Sequence, residues 1–100
     1  MGNIKSFYQD PKVVEGLIHS AAKDSENIYF PAKAERKIVN VAISEVFACL
    51  ERGAVTNHPE PDEYKNIICE MKLFHAGREI VLNLVVVPET NHVIFLYAEG

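Results

Sequence analysis

The stretch "KNIICEMKLFHAGREIVLNLVVVPETNHVIFLYAE", residues 65–99, decides the fold. Apolar and polar residues alternate over 65–74, residues 79–87 are apolar at nearly every position, and 92–98 form a third apolar run. A period of two is that of a β-strand, and the turn sequences "HAGR" and "PETN" separate the three runs. The stretch therefore predicts a three-stranded antiparallel meander whose central strand is 79–87.

Two amphipathic helices are predicted before the meander. Asp10-Pro11 is a favourable helix start, and an apolar stripe at helical spacing follows it. The second helix is predicted from about Ala32 to Arg52, with Gly53 closing it in the left-handed conformation. The segment "TNHPEPDE", residues 56–63, has two prolines and no periodicity, so we expect a loop there.

This order of elements predicts an α+β fold in α-α-β-β-β order. Both N-terminal helices would pack on one face of a three-stranded, or four-stranded, antiparallel sheet, and the 100 residues would form one domain. The opposite face would stay open, although alternation alone does not fix the facing of the last two strands. One arrangement turns these residues outward: Val81, Asn83, Val85, Val93, Phe95 and Tyr97. Such a mixed surface is typical of a dimer, partner or substrate interface.

Composition and charge exclude several classes of protein. The net charge of -4 argues against binding nucleic acid over the whole surface, so a nucleic-acid site would have to be a local basic patch. No apolar run approaches the ~18 residues of a membrane-spanning helix, so no membrane association is expected. Cys49 and Cys69 lie in apolar segments without metal-binding spacing, which predicts buried free thiols in the cytoplasm. The four histidines lack the H-x-x-x-H pattern, so no metal or cofactor is predicted.

The first residues carry a short targeting pattern. "MGNIKS" matches the sequence for attaching myristate to Gly2, but a pattern this short is often matched by chance. A frayed N-terminus is the interpretation we favour for residues 1–9.

Several segments together resemble a known family. They are the short "IYF" run, Arg36 after it, the stretch "AISEVFACLERGAV", and the closing runs "REIVLNLVVV" and "VIFLYAE". In these features the chain is similar to a bacterial family of uncharacterised domains allied to the BrnT and RelE-type ribonuclease toxins. The resemblance implies a small cytoplasmic bacterial or phage protein that cleaves RNA without a metal. This chain has Ala32 and Asn40 where the family has a histidine and a second basic residue.

The resemblance also implies a set of site residues. Toxins of this kind stabilise the cleaved phosphate with basic groups and hydrogen-bond donors, which implies catalytic roles for Arg36, Tyr97 and Arg78. Three lysines would bind the substrate: Lys33, Lys37 and Lys72. Lys33, Arg36 and Lys37 would share one side of the second helix near its N-terminus, where anions are favoured. The structural alternatives are a solvated helical turn for the basic cluster and a packing role for Tyr97.

A different class of function competes with the ribonuclease. The missing histidine, the missing basic residue and the acidic charge favour a catalytically silent module that binds a protein. This module would be an inhibitor, an antitoxin or an immunity-like protein, and it would use the open sheet face to engage a partner or a second copy of itself.

Overall fold

The computed structural model describes residues 10–100, so the expectation for the N-terminal nine residues lies outside it. Helix α1 spans Pro11–Ala21, and the Asp10 side chain caps it by accepting a hydrogen bond from the Lys12 amide at 2.9 Å. Helix α2 spans Ile43–Arg52. Seven strands complete the described part: β1 (Ile28–Tyr29), β2 (Ile38–Val39), β3 (Ala54–Val55), β4 (Glu60–Pro61), β5 (Ile67–His75), β6 (Arg78–Val87) and β7 (His92–Glu99).

The central meander lies at nearly the predicted bounds, but the α-α-β-β-β order and the count of three or four strands are wrong. The fold is α+β with a mixed seven-stranded sheet, and two short strands lie between the helices. The core of the sheet is antiparallel β5-β6-β7, while β1 and β2 both run parallel to β7. On the other side, β3 and β4 pair antiparallel with β5. Both edges of the meander are thus covered by short, interrupted strands, which shields them from pairing with other chains.

The predicted second helix is too long at its N-terminal end. Residues 34–37 form a 3₁₀ turn and Ile38–Val39 pair with β7, so the α-helix begins only at Ile43. The predicted loop 56–63 is also incomplete, because Glu60 pairs with Ile68 of β5. In both places a β-bridge to the meander replaces the structure that local composition favours.

Gly53 ends α2, but it does not adopt the left-handed conformation. Its φ is -71° and its ψ is 167°, an extended conformation open to any residue. Glycine is needed here because of a close approach. A Cβ atom at this position would lie 2.5 Å from the Cys49 carbonyl oxygen and 3.1 Å from the Lys72 carbonyl oxygen. The position therefore admits no side chain without displacement of α2 or β5.

The two helices cover one face of the sheet. They contact each other, and both contact β6. The inward residues of the meander are the even-numbered residues of β6 from Ile80 to Val86 and their cross-strand partners. All of them except the half-buried Leu73 are buried, and they pack with the helix residues Val14, Ile18, Val46 and Leu50. None of the helices in residues 10–100 is long and apolar enough to span a membrane.

Both cysteines are free and buried in this core, as predicted. Burial raises the pKa of the Cys49 thiol to about 12 and that of Cys69 to about 12, because a thiolate is poorly solvated in an apolar environment. Neither thiol is a candidate nucleophile.

Two polar contacts fasten α1 to the segment after α2. His19 donates from Nε2 to the Gly53 carbonyl oxygen at 2.8 Å, and Glu15 accepts a hydrogen bond from the Val55 amide at 3.0 Å. A carbonyl oxygen can only accept, so Nε2 of His19 is the donor in this bond. This histidine is a structural residue.

Candidate functional site

A loop that bulges from one edge of the sheet forms a pocket. Ile28 of β1 pairs with Val93 of β7, and Ile38 of β2 pairs with Ala98, so ten positions of the edge segment span only five positions of β7. The excess chain cannot lie flat along β7. It leaves the sheet between β1 and β2 and forms the 3₁₀ turn that carries the basic cluster.

The loop is held by hydrogen bonds of its own and by its buried residues. The Ala34 amide donates to the Pro31 carbonyl and the Arg36 amide donates to the Lys33 carbonyl, both at 3.0 Å. Ala34 is buried, and the ring of Phe30 lies 5.1 Å from that of Phe95 between ring centroids. The backbone of the basic cluster is therefore fixed relative to β7.

The pocket under this turn has a volume of about 540 Å³. The basic side chains of the pocket come from the turn, and its apolar surface comes from both the turn and β7. The pocket is lined by Pro31, Ala32, Lys33, Ala34, Arg36, Lys37, Phe95 and Leu96. The three basic residues are exposed, and none of them is in an ion pair within residues 10–100. Three cations around an apolar floor suit an anionic ligand that also has an apolar part.

Lys33 has an unusual backbone conformation in this pocket. Its φ is 66° and its ψ is 22°, in the left-handed region that non-glycine residues seldom occupy. Such a conformation costs of order 1 kcal/mol and is often found at functional sites. It turns the chain from Pro31 into the 3₁₀ turn, and so positions the basic cluster at the pocket.

A β-bulge supplies another part of the lining. Asn83 of β6 pairs with Tyr97 and Leu84 pairs with Phe95, so Leu96 is an extra residue on β7 with no partner on β6. Leu96 lines the pocket and is 39% exposed. The bulge also reverses the alternation of side chains along β7. Val93 and Phe95 face the helices, whereas Tyr97 faces the open side. The predicted arrangement that turned Val93 and Phe95 outward is therefore wrong for these two residues.

The six predicted site residues lie in three places. Lys33, Arg36 and Lys37 meet at the pocket, although on a 3₁₀ turn rather than at a helix N-terminus. Tyr97 and Lys72 lie on the open face of the meander, where Lys72 forms an ion pair with Glu79 at 3.9 Å. Arg78 is at neither place. The catalytic set proposed from the resemblance is therefore not gathered around one pocket.

Arg78 is occupied by contacts with the segment around the start of α2. Its guanidinium donates to the Asn40 carbonyl and to Glu45, with 2.6 Å between Nη2 and Oε1. The same Glu45 oxygen accepts a hydrogen bond from the Ala42 amide at 2.9 Å. This backbone bond and, second, Arg78 lower the pKa of Glu45, and their effect outweighs that of partial burial, which raises it.

No histidine or carboxylate lines the pocket among the residues that the structure describes. His75 pairs with Arg78 at the start of β6, and His92 pairs with Val87 at its end. At about 3.3 Å per residue, these positions are roughly 30 Å apart, so the two histidines do not share an end of the sheet. Within residues 10–100 no group of three or more His, Cys, Asp or Glu residues could hold a metal.

The open face is the second candidate surface. We define it as the odd-numbered residues of β6 from Glu79 to Val87 together with their partners on β5 and β7. Two of its apolar side chains are largely exposed: Ile68 at 43% and Phe74 at 75%.

The sequence predicts the basic cluster of the pocket but not the contributions of Pro31, Phe95 and Leu96. The bulge at Leu96 brings these residues together, and it leaves no distinct pattern in the amino-acid sequence.

Fold and surface together define a small α+β protein with a basic pocket at one sheet edge and an open sheet face. Comparison with known proteins found no matching family model, no similar curated protein and no similar solved structure.

Proposed function

We propose that this protein binds single-stranded RNA at the basic pocket. The observation that carries the proposal is the meeting of Lys33, Arg36 and Lys37 around one pocket, each exposed and without an ion-pair partner in the described chain. Their ammonium and guanidinium groups suit phosphate oxygens, and the apolar floor suits a base or ribose. The patch is local, which is consistent with an overall acidic chain.

Binding is better supported than cleavage. Cleavage of RNA by its 2′-hydroxyl needs a group that accepts a proton, and neither histidine nor carboxylate is among the pocket residues. Arg78, one of the three catalytic candidates, is already paired with Glu45. The similarity to BrnT and RelE-type toxins is the support for ribonuclease activity, with Arg36 and Lys33 on the phosphate and Tyr97 assisting.

The test measures binding and cleavage separately. A fluorescein-labelled single-stranded RNA is titrated with the wild type, with the Lys33→Ala, Arg36→Ala, Lys37→Ala triple variant, and with Lys23→Ala, an exposed lysine outside the pocket. We expect the triple variant to bind at least about tenfold more weakly and Lys23→Ala to bind like the wild type. Three phosphate contacts predict a slope of about -2 for log K against log salt. Equal affinity of all three proteins contradicts the proposal.

Cleavage is assayed in a separate set of samples. A mixed RNA pool is incubated with the wild type and with the Arg36→Ala, Tyr97→Phe variant in the presence of a chelator. RNA cut by the wild type alone would add endoribonuclease activity to RNA binding. If the RNA stays intact although the wild type binds RNA in the titration, the protein binds RNA without cleaving it.

A cytoplasmic location belongs to this proposal, and the two free cysteines support it.

A second candidate function is protein binding through the open face. The exposure of Ile68 and Phe74 on the face opposite the two helices is the observation that favours it. In that function the chain is a catalytically silent module with a protein partner or a second copy as its ligand.

A further inference from the structure

The open face has an apolar band. Ile68 on β5, Val85 on β6 and Ile94 on β7 pair in register, and Tyr29 on β1 pairs with Ile94. These four side chains form one row across four adjacent strands. Ile68 and Tyr29 are exposed at its two ends, at 43% and 58%, while Ile94 is half-buried and Val85 is buried between its neighbours. With strands about 4.8 Å apart, the row is roughly 15 Å long, the length of about ten residues of α-helix.

Carboxylates dominate the charge around this band. Glu70 and Glu99 are on the open face, and Glu60 of β4 pairs with Ile68 at the end of the band. None of these three is in an ion pair within residues 10–100. The one amine on this face, Lys72, is paired with Glu79 at 3.9 Å. The open face is therefore apolar along one row and acidic around it.

We propose that the open face binds a basic amphipathic helix of a partner protein, an inference that rests on the second candidate function. The apolar side of such a helix would cover the band, and its lysines or arginines would meet Glu60, Glu70 and Glu99. A helix would also add the layer that the uncovered side of the sheet lacks. A second copy docked face to face would instead bring like charges together, which opposes association.

The test uses a defined probe. It is a fluorescein-labelled helical peptide of about 14 residues, with leucine at i, i+3, i+4 and i+7 positions and lysine elsewhere. One control peptide has glutamate in place of lysine, and another has the same leucines and lysines in scrambled order. We expect the basic amphipathic peptide to bind at least about tenfold more tightly than either control. Equal binding of the scrambled peptide would overturn the proposal, because charge alone would then explain the affinity.

Protein variants locate the charge effect. The Glu60→Lys, Glu99→Lys variant reverses two exposed carboxylates near the band, and Glu26→Lys, Glu51→Lys reverses two exposed carboxylates outside the open face as a matched control. We expect about a tenfold loss of peptide affinity for the double variant and less than about a twofold change for the control. Similar losses in both proteins would contradict docking on the open face.

Amide chemical shifts test two parts of the proposal separately: that the partner is a basic helix, and that it binds on the open face. The basic peptide should shift the amides of β5, β6 and β7 around Val85, and the Arg36→Ala variant should bind it as the wild type does. Shifts at Val85 with the acidic peptide alone would retain the open face as a protein-binding surface and overturn the basic partner. Shifts confined to α1 and α2 would overturn both. A dimer in light scattering that Ile68→Lys dissociates would assign the face to a second copy and overturn the basic helix.

Discussion

Arg78 and Glu45 join two distant parts of the chain through an ion pair of 2.6 Å. Arg78 begins β6 directly after the hairpin turn, and Glu45 lies in the first turn of α2. Glu45 also accepts the hydrogen bond from the amide of Ala42, whose own side chain has no acceptor with which to cap the helix. One carboxylate therefore caps α2 and fixes it to the sheet.

This arrangement predicts a pH-dependent contribution to stability. The folded-state pKa of Glu45 is lowered, first by the Ala42 amide and then by Arg78, below the unfolded value of about 4.3. Its ionised form therefore stabilises the fold fully above about pH 4.3, and this stabilisation is lost as the pH falls through the lower folded-state pKa. Urea unfolding of the wild type and Glu45→Gln should show the wild type more stable at pH 7, with the difference shrinking toward pH 3.

The control for this measurement is Glu51→Gln, which changes an exposed glutamate on the same helix. It should unfold at nearly the same urea concentration as the wild type throughout the pH range. A difference between wild type and Glu45→Gln that stays constant from pH 7 to pH 3 would show that the carboxylate does not act through its charge.

The close approach at Gly53 predicts opposite effects of the same substitution at two glycines. Gly53→Ala places a Cβ 2.5 Å from the Cys49 carbonyl oxygen, so the chain must shift, and we expect a loss of about 1–3 kcal/mol in the free energy of unfolding. Gly16 is exposed in α1, and a Cβ atom added there would have no atom within 4 Å beyond its own helix backbone and chain neighbours. Gly16→Ala should therefore gain up to about 1 kcal/mol from helix propensity.

Thermal unfolding compares the two variants directly. Each kcal/mol shifts the Tm of a chain of this size by roughly 4–8 °C, so the two Tm values should move in opposite directions from the wild type. A Gly53→Ala protein as stable as the wild type would mean that α2 and β5 move apart at little cost.

The sequence predicts the meander and α1 because their patterns agree with their environment. Residues 67–75 alternate with a period of two and are buried on one side, and Asp10 caps α1 as its position before Pro11 indicates. The prediction for the second helix is too long because residues 32–37 consist mostly of strong helix formers. Ile38 and Val39 instead pair with the edge of β7, and this tertiary contact outweighs local propensity.

The candidate site could be predicted only in part, for a similar reason. The basic side chains of Lys33, Arg36 and Lys37 are close in sequence, so a helix and a 3₁₀ turn both bring them together. The pocket also needs Phe95 and Leu96, which come close only through the register of β7 and its bulge. Bulges depend on how two strands pair, and one strand's sequence does not specify that.

The hairpin turn between β5 and β6 predicts a stabilising substitution. Ala76 has a φ of 53° and Gly77 a φ of 80°, so both central residues of this two-residue turn are in the left-handed region. Such a turn favours Asn-Gly, because asparagine tolerates positive φ better than alanine does. Ala76→Asn should therefore raise the free energy of unfolding by about 0.5–1 kcal/mol. Gly77→Ala should lower it by a similar amount or more, because it places a Cβ on a residue with positive φ. Urea unfolding at pH 7 measures both changes, and a loss of stability in Ala76→Asn would show that the turn does not hold this conformation in solution.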